Sequence, residues 1–404
     1  MADVHGFCDP AFDSLRALLQ QRLAEGHEVG ASLCINIDGK NVLDLWGGFA
    51  DPSQTEPKPW GKDTITAVWS NTKIVTSLAA LILVNRGQLN LNENVATYWP
   101  EFAANGKDDI KISQILSHSS GVTTIERYLT PEEMQDRETM LLKLAEDLHD
   151  LEKTAALLAE QPPLYVPGSQ SAYKASVYGH LVGEIIRRIT GKSLSQFITE
   201  EITTPLGADF QLGLPEEEWP RNAHIIPFPL EEVIPLTAFD PTSFLGRVLR
   251  GSLVYPTMPN EPVFRKSENG AMGGYSNARA LARIGSVVSL DGIVDGKRYL
   301  SPQTIDEMMK ERIRGFDPCL NGKIRFALGV ALPWSESLVS LIPEEDGMCF
   351  WSGYGGSFTI MDRRRRMTIA YTMNKMENRV SSNSNFDAYF PEMYKGFERY
   401  NAST

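Results

Sequence analysis

Ser70-Asn71-Thr72-Lys73 runs directly into Ile74-Val75-Thr76-Ser77-Leu78-Ala79-Ala80-Leu81-Ile82-Leu83-Val84, and Asn85-Arg86-Gly87 ends the run. The apolar stretch predicts a buried helix with a glycine stop. On such a helix, a lysine three residues after a serine lies on the same face, one turn away. A serine hydroxyl is a weak nucleophile until a base takes its proton, and a buried lysine gives up its charge and becomes such a base. Free backbone N–H groups and the positive dipole end at a helix start also favour a developing oxyanion. By itself the tetrapeptide fits a solvated helix start, and the chain holds a second copy, Ser171-Ala172-Tyr173-Lys174. The apolar run sets the first copy apart. The second follows Pro167-Gly168-Ser169 and brings a tyrosine.

Composition narrows the class of protein. At 404 residues the chain holds one large domain or two ordinary ones. Its net charge is -12, and Arg363-Arg364-Arg365-Arg366 is its one arginine-rich run. Nucleic acid is therefore not an expected partner, and that run reads as a solvated hairpin loop. Met1-Ala2-Asp3-Val4-His5-Gly6-Phe7 lacks the basic and apolar parts of a signal peptide, and no stretch approaches membrane-spanning length. No membrane partner is expected. Cys8, Cys34, Cys319 and Cys349 show no C-x-x-C spacing and read as reduced thiols of a cytoplasmic protein. Six histidines with no His-Glu-x-x-His argue against a zinc hydrolase. Neither a metal nor a cofactor is expected. Gly-x-Ser-x-Gly is absent, which argues against an α/β-hydrolase elbow.

Periodicity gives the outline of the fold. Phe12, Leu15, Leu18, Leu19 and Leu23 recur at helical spacing, and strand-like residues 31–37 and 41–47 flank Asp38-Gly39, a tight-turn dipeptide. Near the other end, residues 357–361 and 367–374 form a second hairpin candidate. A helix-like segment with Phe386, Tyr389, Phe390, Met393, Tyr394 and Phe397 follows it. One antiparallel sheet joining both hairpins, flanked by both terminal helices, satisfies these patterns. Residues 70–191 are mostly helical, with an acidic amphipathic stretch at 130–161 that reads as a solvated helix pair or a lid. Residues 214–264 are rich in proline and aromatics and read as long loops. The expected fold class is α/β (α+β). A single catalytic domain over residues 8–400 combines a discontinuous α/β part (8–66 and 265–400) with a helical and loop part (67–264), and the site lies in the cleft between them.

Five ordered motifs carry a resemblance over roughly residues 12–395. They are Ser70-Asn71-Thr72-Lys73, Leu116-Ser117-His118-Ser119-Ser120-Gly121, Tyr173-Lys174-Ala175, Gly273-Gly274-Tyr275-Ser276, and Trp351-Ser352-Gly353 followed by Tyr354-Gly355-Gly356-Ser357. The chain resembles the serine β-lactamase and penicillin-binding-protein superfamily, in particular its class C-like branch of family VIII-type carboxylesterases and acyltransferases. The resemblance implies a β-lactamase/transpeptidase-like fold with Ser70 as the nucleophile. Lys73 would be base or proton shuttle, Tyr173 general base or acid, and the Tyr354 backbone N–H an oxyanion-hole donor beside that of Ser70. Trp351, Ser352, Gly353 and Ala175 would bind substrate. A Lys73 ammonium beside Tyr173 would favour a phenolate, and burial would depress the lysine, so the pair titrates together. Without the resemblance, Tyr173 reads as a core tyrosine with a paired hydroxyl. His118, in a serine-rich turn, reads as a hydrogen-bonding support rather than a catalyst, and His180 as structural.

Two departures from the superfamily pattern bear on substrate. Ala175 stands where Tyr-x-Asn has its asparagine, and Trp351 where Lys-Thr-Gly has its lysine. The first loses an amide and the second a cation that would meet a substrate carboxylate; an indole offers an apolar face and one N–H. Lys174 is a candidate for the missing charge, although adjacent residues point in different directions. Tyr-x-Ala is also similar to the fungal acyltransferase that loads an acyl group onto a statin precursor. The expected activity is hydrolysis of apolar or bulky carboxylic esters through an acyl-enzyme on Ser70, by a monomer acting on a small-molecule ester. The alternatives are acyl transfer to an alcohol of a secondary metabolite, a weak β-lactamase, and a non-catalytic scaffold on the same fold.

Overall fold

Two hairpins from opposite ends of the chain meet in one antiparallel sheet. The computed structural model describes residues 3–125, 130, 133, 136–232, 238–252, 254–379 and 383–403. Its strands used below are β1 (Val4–Cys8), β2 (Gly30–Ile37), β3 (Lys40–Asp51), β4 (Ile313–Asp317), β5 (Gly322–Phe326), β6 (Met348–Ser352), β7 (Phe358–Asp362) and β8 (Met367–Met373). The helices are α1 (Asp13–Ala24), α2 (Thr72–Asn85), α3 (Arg137–His149), α4 (Leu151–Glu160), α5 (Val177–Thr190), α6 (Ala278–Ser289) and α7 (Ser384–Ser403). The seven-stranded sheet runs β1-β3-β2-β8-β7-β6, with the short strand Lys58–Pro59 paired to β3. The two ends join where β2 lies antiparallel to β8, from Met367↔Ile37 to Met373↔Ala31. The fold is the mixed α/β architecture expected from the sequence.

Side chains on a strand alternate between faces, and both faces of this sheet are covered. On one face, Thr368 bonds Ser289 of α6 at 2.8 Å, and Ser32 takes the Ala278 N–H at 3.2 Å. On the other, Phe358 stacks on Phe386 and Tyr371 meets Tyr389, both from α7, with ring centroids 4.0 and 5.6 Å apart. That double cover explains why β2 and β8 are buried along their whole length. The Asp38-Gly39 turn forms as expected, with both residues at positive φ, 50° and 83°.

Three details differ from the sequence reading. β1 was not expected, because five residues interrupted by Gly6 carry little strand signal; a Cβ at Gly6 would stand 2.0 Å from the Asp44 carbonyl oxygen, so this edge needs glycine. β3 continues past Gly47-Gly48 to Asp51, because a glycine pair that reads as a stop here admits close backbone neighbours. The arginine run does turn the hairpin between β7 and β8, but it is ion-paired. Arg363 meets Asp291 and Asp306, Arg365 meets Glu345 and Asp362, and Arg366 meets Asp38.

In the middle of the chain, the acidic stretch forms α3 and α4; its positions 131, 132, 134 and 135 lie outside the described residues. Residues 214–264 form loops and 3-10 turns around the helix Phe244–Arg250 and run into the short helix Pro262–Arg265, and positions 233–237 and 253 lie outside the described residues. Among the described residues, no helix is long and apolar enough to cross a membrane. Helix α2 is buried from Thr72 to Leu83 and packs against α5. Its N-terminus points to the β6 edge of the sheet, where the site lies.

Candidate active site

Ser70 sits in a 3-10 turn, Trp69–Asn71, that leads into α2. Trp69 takes φ of 50°, a left-handed conformation that is strained for a bulky residue. Several contacts hold it there. Thr72 Oγ1 donates to the Trp69 carbonyl at 2.5 Å and accepts the Gly274 N–H at 3.0 Å. Asn71 Nδ2 donates to Ser357 Oγ at 3.0 Å, tying the turn to the segment after β6. The turn is thus over-determined on both sides, and it leaves Ser70 half-buried at the helix start.

Two groups converge on Ser70. The Tyr173 hydroxyl donates to Ser70 Oγ at 2.7 Å, and Lys73 Nζ lies 3.3 Å from the same oxygen. Lys73 is fully buried, and its Nζ also reaches the carbonyls of Ala175 at 3.0 Å and Ala271 at 2.9 Å. Burial, with the nearby Lys174 charge, holds Lys73 well below the usual lysine range. In a neutral amine the two carbonyls take the two N–H groups and leave the lone pair for the serine hydroxyl. Burial likewise pushes the Tyr173 phenol up, against smaller opposing effects of its bonds to Ser70 and Trp351. Both groups are therefore driven toward their neutral forms, and a resting ammonium–phenolate pair is disfavoured.

Trp351, the last-but-one residue of β6, donates its indole N–H to the Tyr173 oxygen at 3.3 Å. Gly353 packs against the two residues before Ser70: a Cβ there would stand 2.4 Å from the Val68 carbonyl oxygen and 3.1 Å from Trp69 Cβ. The next residue, Tyr354, sets its half-buried ring edge-on to Trp69 at 5.4 Å and to Phe228 at 5.8 Å. Ser352 is buried within β6. Ala175 contributes its carbonyl to Lys73, not only a small side chain. Three of the five motifs thus bring Ser70, Lys73, Tyr173, Trp351, Gly353 and Tyr354 together.

His118 lies under this group as a support. Its ring packs 4.9 Å from Tyr173 and 4.8 Å from Phe326, its Nδ1 accepts the Lys174 N–H at 3.2 Å, and its carbonyl accepts the Ala172 N–H at 2.9 Å. Burial and two nearby lysines keep it neutral. Lys174 does not turn toward the Tyr173 hydroxyl; its Nζ points to the Ile115 carbonyl at 3.5 Å, and burial brings its pKa down to about 7. His180 is buried in α5 and bonds Asn269, whose Oδ1 in turn accepts the Ala271 N–H at 2.8 Å. Asn269 and the carbonyls of Ala175 and Ala271 escaped the sequence reading. The only signal was the Asn269-Gly270 pair: a Cβ at Gly270 would stand 2.9 Å from Thr76 Oγ1 of α2.

An antiparallel sheet packed on helices, with Ser-x-x-Lys opening a buried helix and a tyrosine on the serine, defines the β-lactamase/transpeptidase-like class. The chain belongs to the beta-lactamase family, whose model matches residues 15–390. A family VIII carboxylesterase crystal structure matches with 30% identity and a TM-score of 0.83, covering 98% of each chain. A penicillin-binding-protein homologue from Caulobacter crescentus matches with 31% identity and a TM-score of 0.82, covering 100% of each. In sequence, the Esterase/beta-lactamase LipL of Mycobacterium tuberculosis is 28% identical over 320 residues, 76% of this chain and 70% of that protein. The family is serine hydrolase-like, and esterases stand among these neighbours.

Proposed function

We propose that this protein is a serine carboxylesterase that acylates Ser70 with apolar or bulky esters. The observation that carries the reading is the pair of contacts at Ser70 Oγ, 2.7 Å from the Tyr173 hydroxyl and 3.3 Å from Lys73 Nζ. Lys73 takes the serine proton as Oγ bonds to the ester carbonyl carbon. The backbone N–H groups of Ser70 and Tyr354 receive the oxyanion, each such donor being worth about 3 kcal/mol in the transition state. The carbon–alkoxy bond then breaks, and the leaving oxygen takes the Tyr173 proton. Lys73, whose Nζ lies 4.7 Å from the Tyr173 ring centroid, returns a proton to the phenolate. Water repeats the sequence on the acyl-enzyme and releases the acid.

The substrate assignment rests on the walls. Trp351 supplies an indole where a cation would meet an anionic substrate, and the half-buried Tyr354 ring, backed by the buried Trp69 and Phe228, offers an apolar surface beside Gly353. Four unpaired cysteines support placing the protein in the reducing cytoplasm. Turnover of a graded series of p-nitrophenyl esters, with and without an acceptor alcohol and beside nitrocefin, tests the reading. Ester hydrolysis with little nitrocefin cleavage supports it. Product that appears only with the alcohol makes the protein an acyltransferase, and no turnover of any ester refutes an enzymatic role on esters.

A further inference from the structure

Tyr173 lies on a segment without regular structure, residues 171–174. A catalytic phenol held to a few tenths of an ångström on such a segment needs its backbone fixed from outside. Three consecutive amides supply the fixing points. Ala172 N–H goes to the His118 carbonyl at 2.9 Å, Tyr173 N–H to Asp317 Oδ1 at 3.2 Å, and Lys174 N–H to His118 Nδ1 at 3.2 Å. Two of the three belong to the motif histidine. The central one belongs to a residue outside every motif.

Asp317 ends β4 and is fully buried. Its Oδ1 also accepts the N–H groups of Cys319 at 2.9 Å and Leu320 at 3.1 Å. One carboxylate oxygen thus shapes its own turn and, 144 residues along the chain, holds the amide of Tyr173. The β4–β5 hairpin that carries it is fixed to the main sheet, because Ala331 bridges Phe326 of β5 and Phe350 of β6. Phe350 adjoins Trp351, the donor to the Tyr173 hydroxyl. The backbone and the phenol oxygen of Tyr173 are therefore referenced to the same edge of the sheet.

We infer that Asp317 is a positioning residue for the acyl-transfer step, holding the Tyr173 backbone so that its hydroxyl stays on Ser70 Oγ. This rests on the role proposed above for Tyr173 as proton donor to the leaving alcohol. The clamp requires an acceptor oxygen at the right reach; the carboxylate also acts on the buried Lys174 and meets the Ser171 side chain. Asn keeps that oxygen and Glu displaces it by one methylene.

The test compares ethyl butyrate, whose alkoxide needs a proton, with p-nitrophenyl butyrate, whose leaving group needs none. Wild type, Tyr173→Phe, Asp317→Asn, Asp317→Glu and the Tyr173→Phe/Asp317→Glu double variant are compared. Asp317→Asn is expected within about threefold of wild type on both esters, because an amide oxygen accepts the same bonds. Asp317→Glu is expected to lose about 10–100-fold in kcat on ethyl butyrate, as ångström-scale misplacement does, and clearly less on the activated ester. The double variant should be no slower than Tyr173→Phe alone. Equal losses on both esters, additive losses in the double variant, or wild-type rates in Asp317→Glu would overturn the inference. If Asp317→Glu does not fold, Asp317→Asn decides: retained turnover supports the clamp, and a loss above about tenfold in a folded protein overturns it. Wild-type ethyl ester turnover in Tyr173→Phe would instead sink the role of Tyr173 itself.

Discussion

The Trp351 indole donates its N–H to the Tyr173 oxygen at 3.3 Å. In the Lys-Thr-Gly pattern that place belongs to an ammonium, so a neutral donor has replaced a cation beside the phenol. Trp351→Phe keeps the ring and removes the donor. It should slow ester turnover by about 2–12-fold, the worth of one neutral hydrogen bond of ~0.5–1.5 kcal/mol. Trp351→Lys should raise turnover of anionic esters relative to neutral ones, measured as the ratio of kcat/KM for a matched pair. An unchanged ratio would mean that this position does not set charge preference.

In the proposed mechanism Lys73 acts only as the free amine, so kcat/KM should fall on the acid side as Lys73 takes up a proton. The Lys174 charge adds to burial in holding the Lys73 pKa down. Removing that charge relieves the depression and raises the Lys73 pKa. Lys174→Met should therefore move the acid limb of the pH–rate profile to higher pH. Lys73→Arg, which stays charged throughout, should be inactive across the range. A limb that stays in place in Lys174→Met would show that another group controls it.

Gly353→Ala tests the close approach behind the nucleophile. The new methyl would stand 2.2 Å from Ser357 Oγ and 2.4 Å from the Val68 carbonyl oxygen. Overpacking of this kind costs about 1–3 kcal/mol, read as a lowered thermal midpoint. Gly353 immediately precedes Tyr354, whose N–H is the proposed oxyanion donor, so kcat should fall further than the loss of folded protein explains. Titration of active serines with a fluorophosphonate separates the two effects.

Away from the site, Glu28 is buried and its Oε1 accepts the hydroxyls of Tyr371 at 2.6 Å and Tyr389 at 3.1 Å. Burial pushes its pKa up to about 8, against the smaller pull of those two bonds. Between the ordinary carboxylate range and about 8, the folded protein keeps a proton that the unfolded chain has lost. Stability from this group therefore falls as pH rises through that window, by ~1.4 kcal/mol per pH unit. Glu28→Gln cannot ionise. Its thermal midpoint should decline less than that of wild type from pH 5 to 8, on the scale of a few degrees per kcal/mol. Parallel declines would place the proton elsewhere.

Side-chain chemistry was legible in the sequence where backbone chemistry was not. Ser70, Lys73, Tyr173 and Trp351 were readable because each carries a distinctive functional group at a motif position. The carbonyls of Ala175 and Ala271, which orient the Lys73 amine, are backbone atoms that any residue supplies. Asp317 lies outside every motif and reaches Tyr173 only through tertiary structure. The two hairpins were legible from alternation and from Asp38-Gly39, and the covered sheet followed from them. β1 was not, because its pairing with β3 depends on Gly6 fitting against Asp44.

A covalent acyl group on Ser70 is the species on which the proposed chemistry turns, and intact-mass spectrometry during turnover of a p-nitrophenyl ester detects it. A mass increase equal to the acyl group is expected, mapped to the peptide holding Ser70-Asn71-Thr72-Lys73. It should be absent from Ser70→Ala together with turnover, and should accumulate as water is made limiting. Ester turnover that persists in Ser70→Ala, or an adduct mapped to another residue, would contradict it.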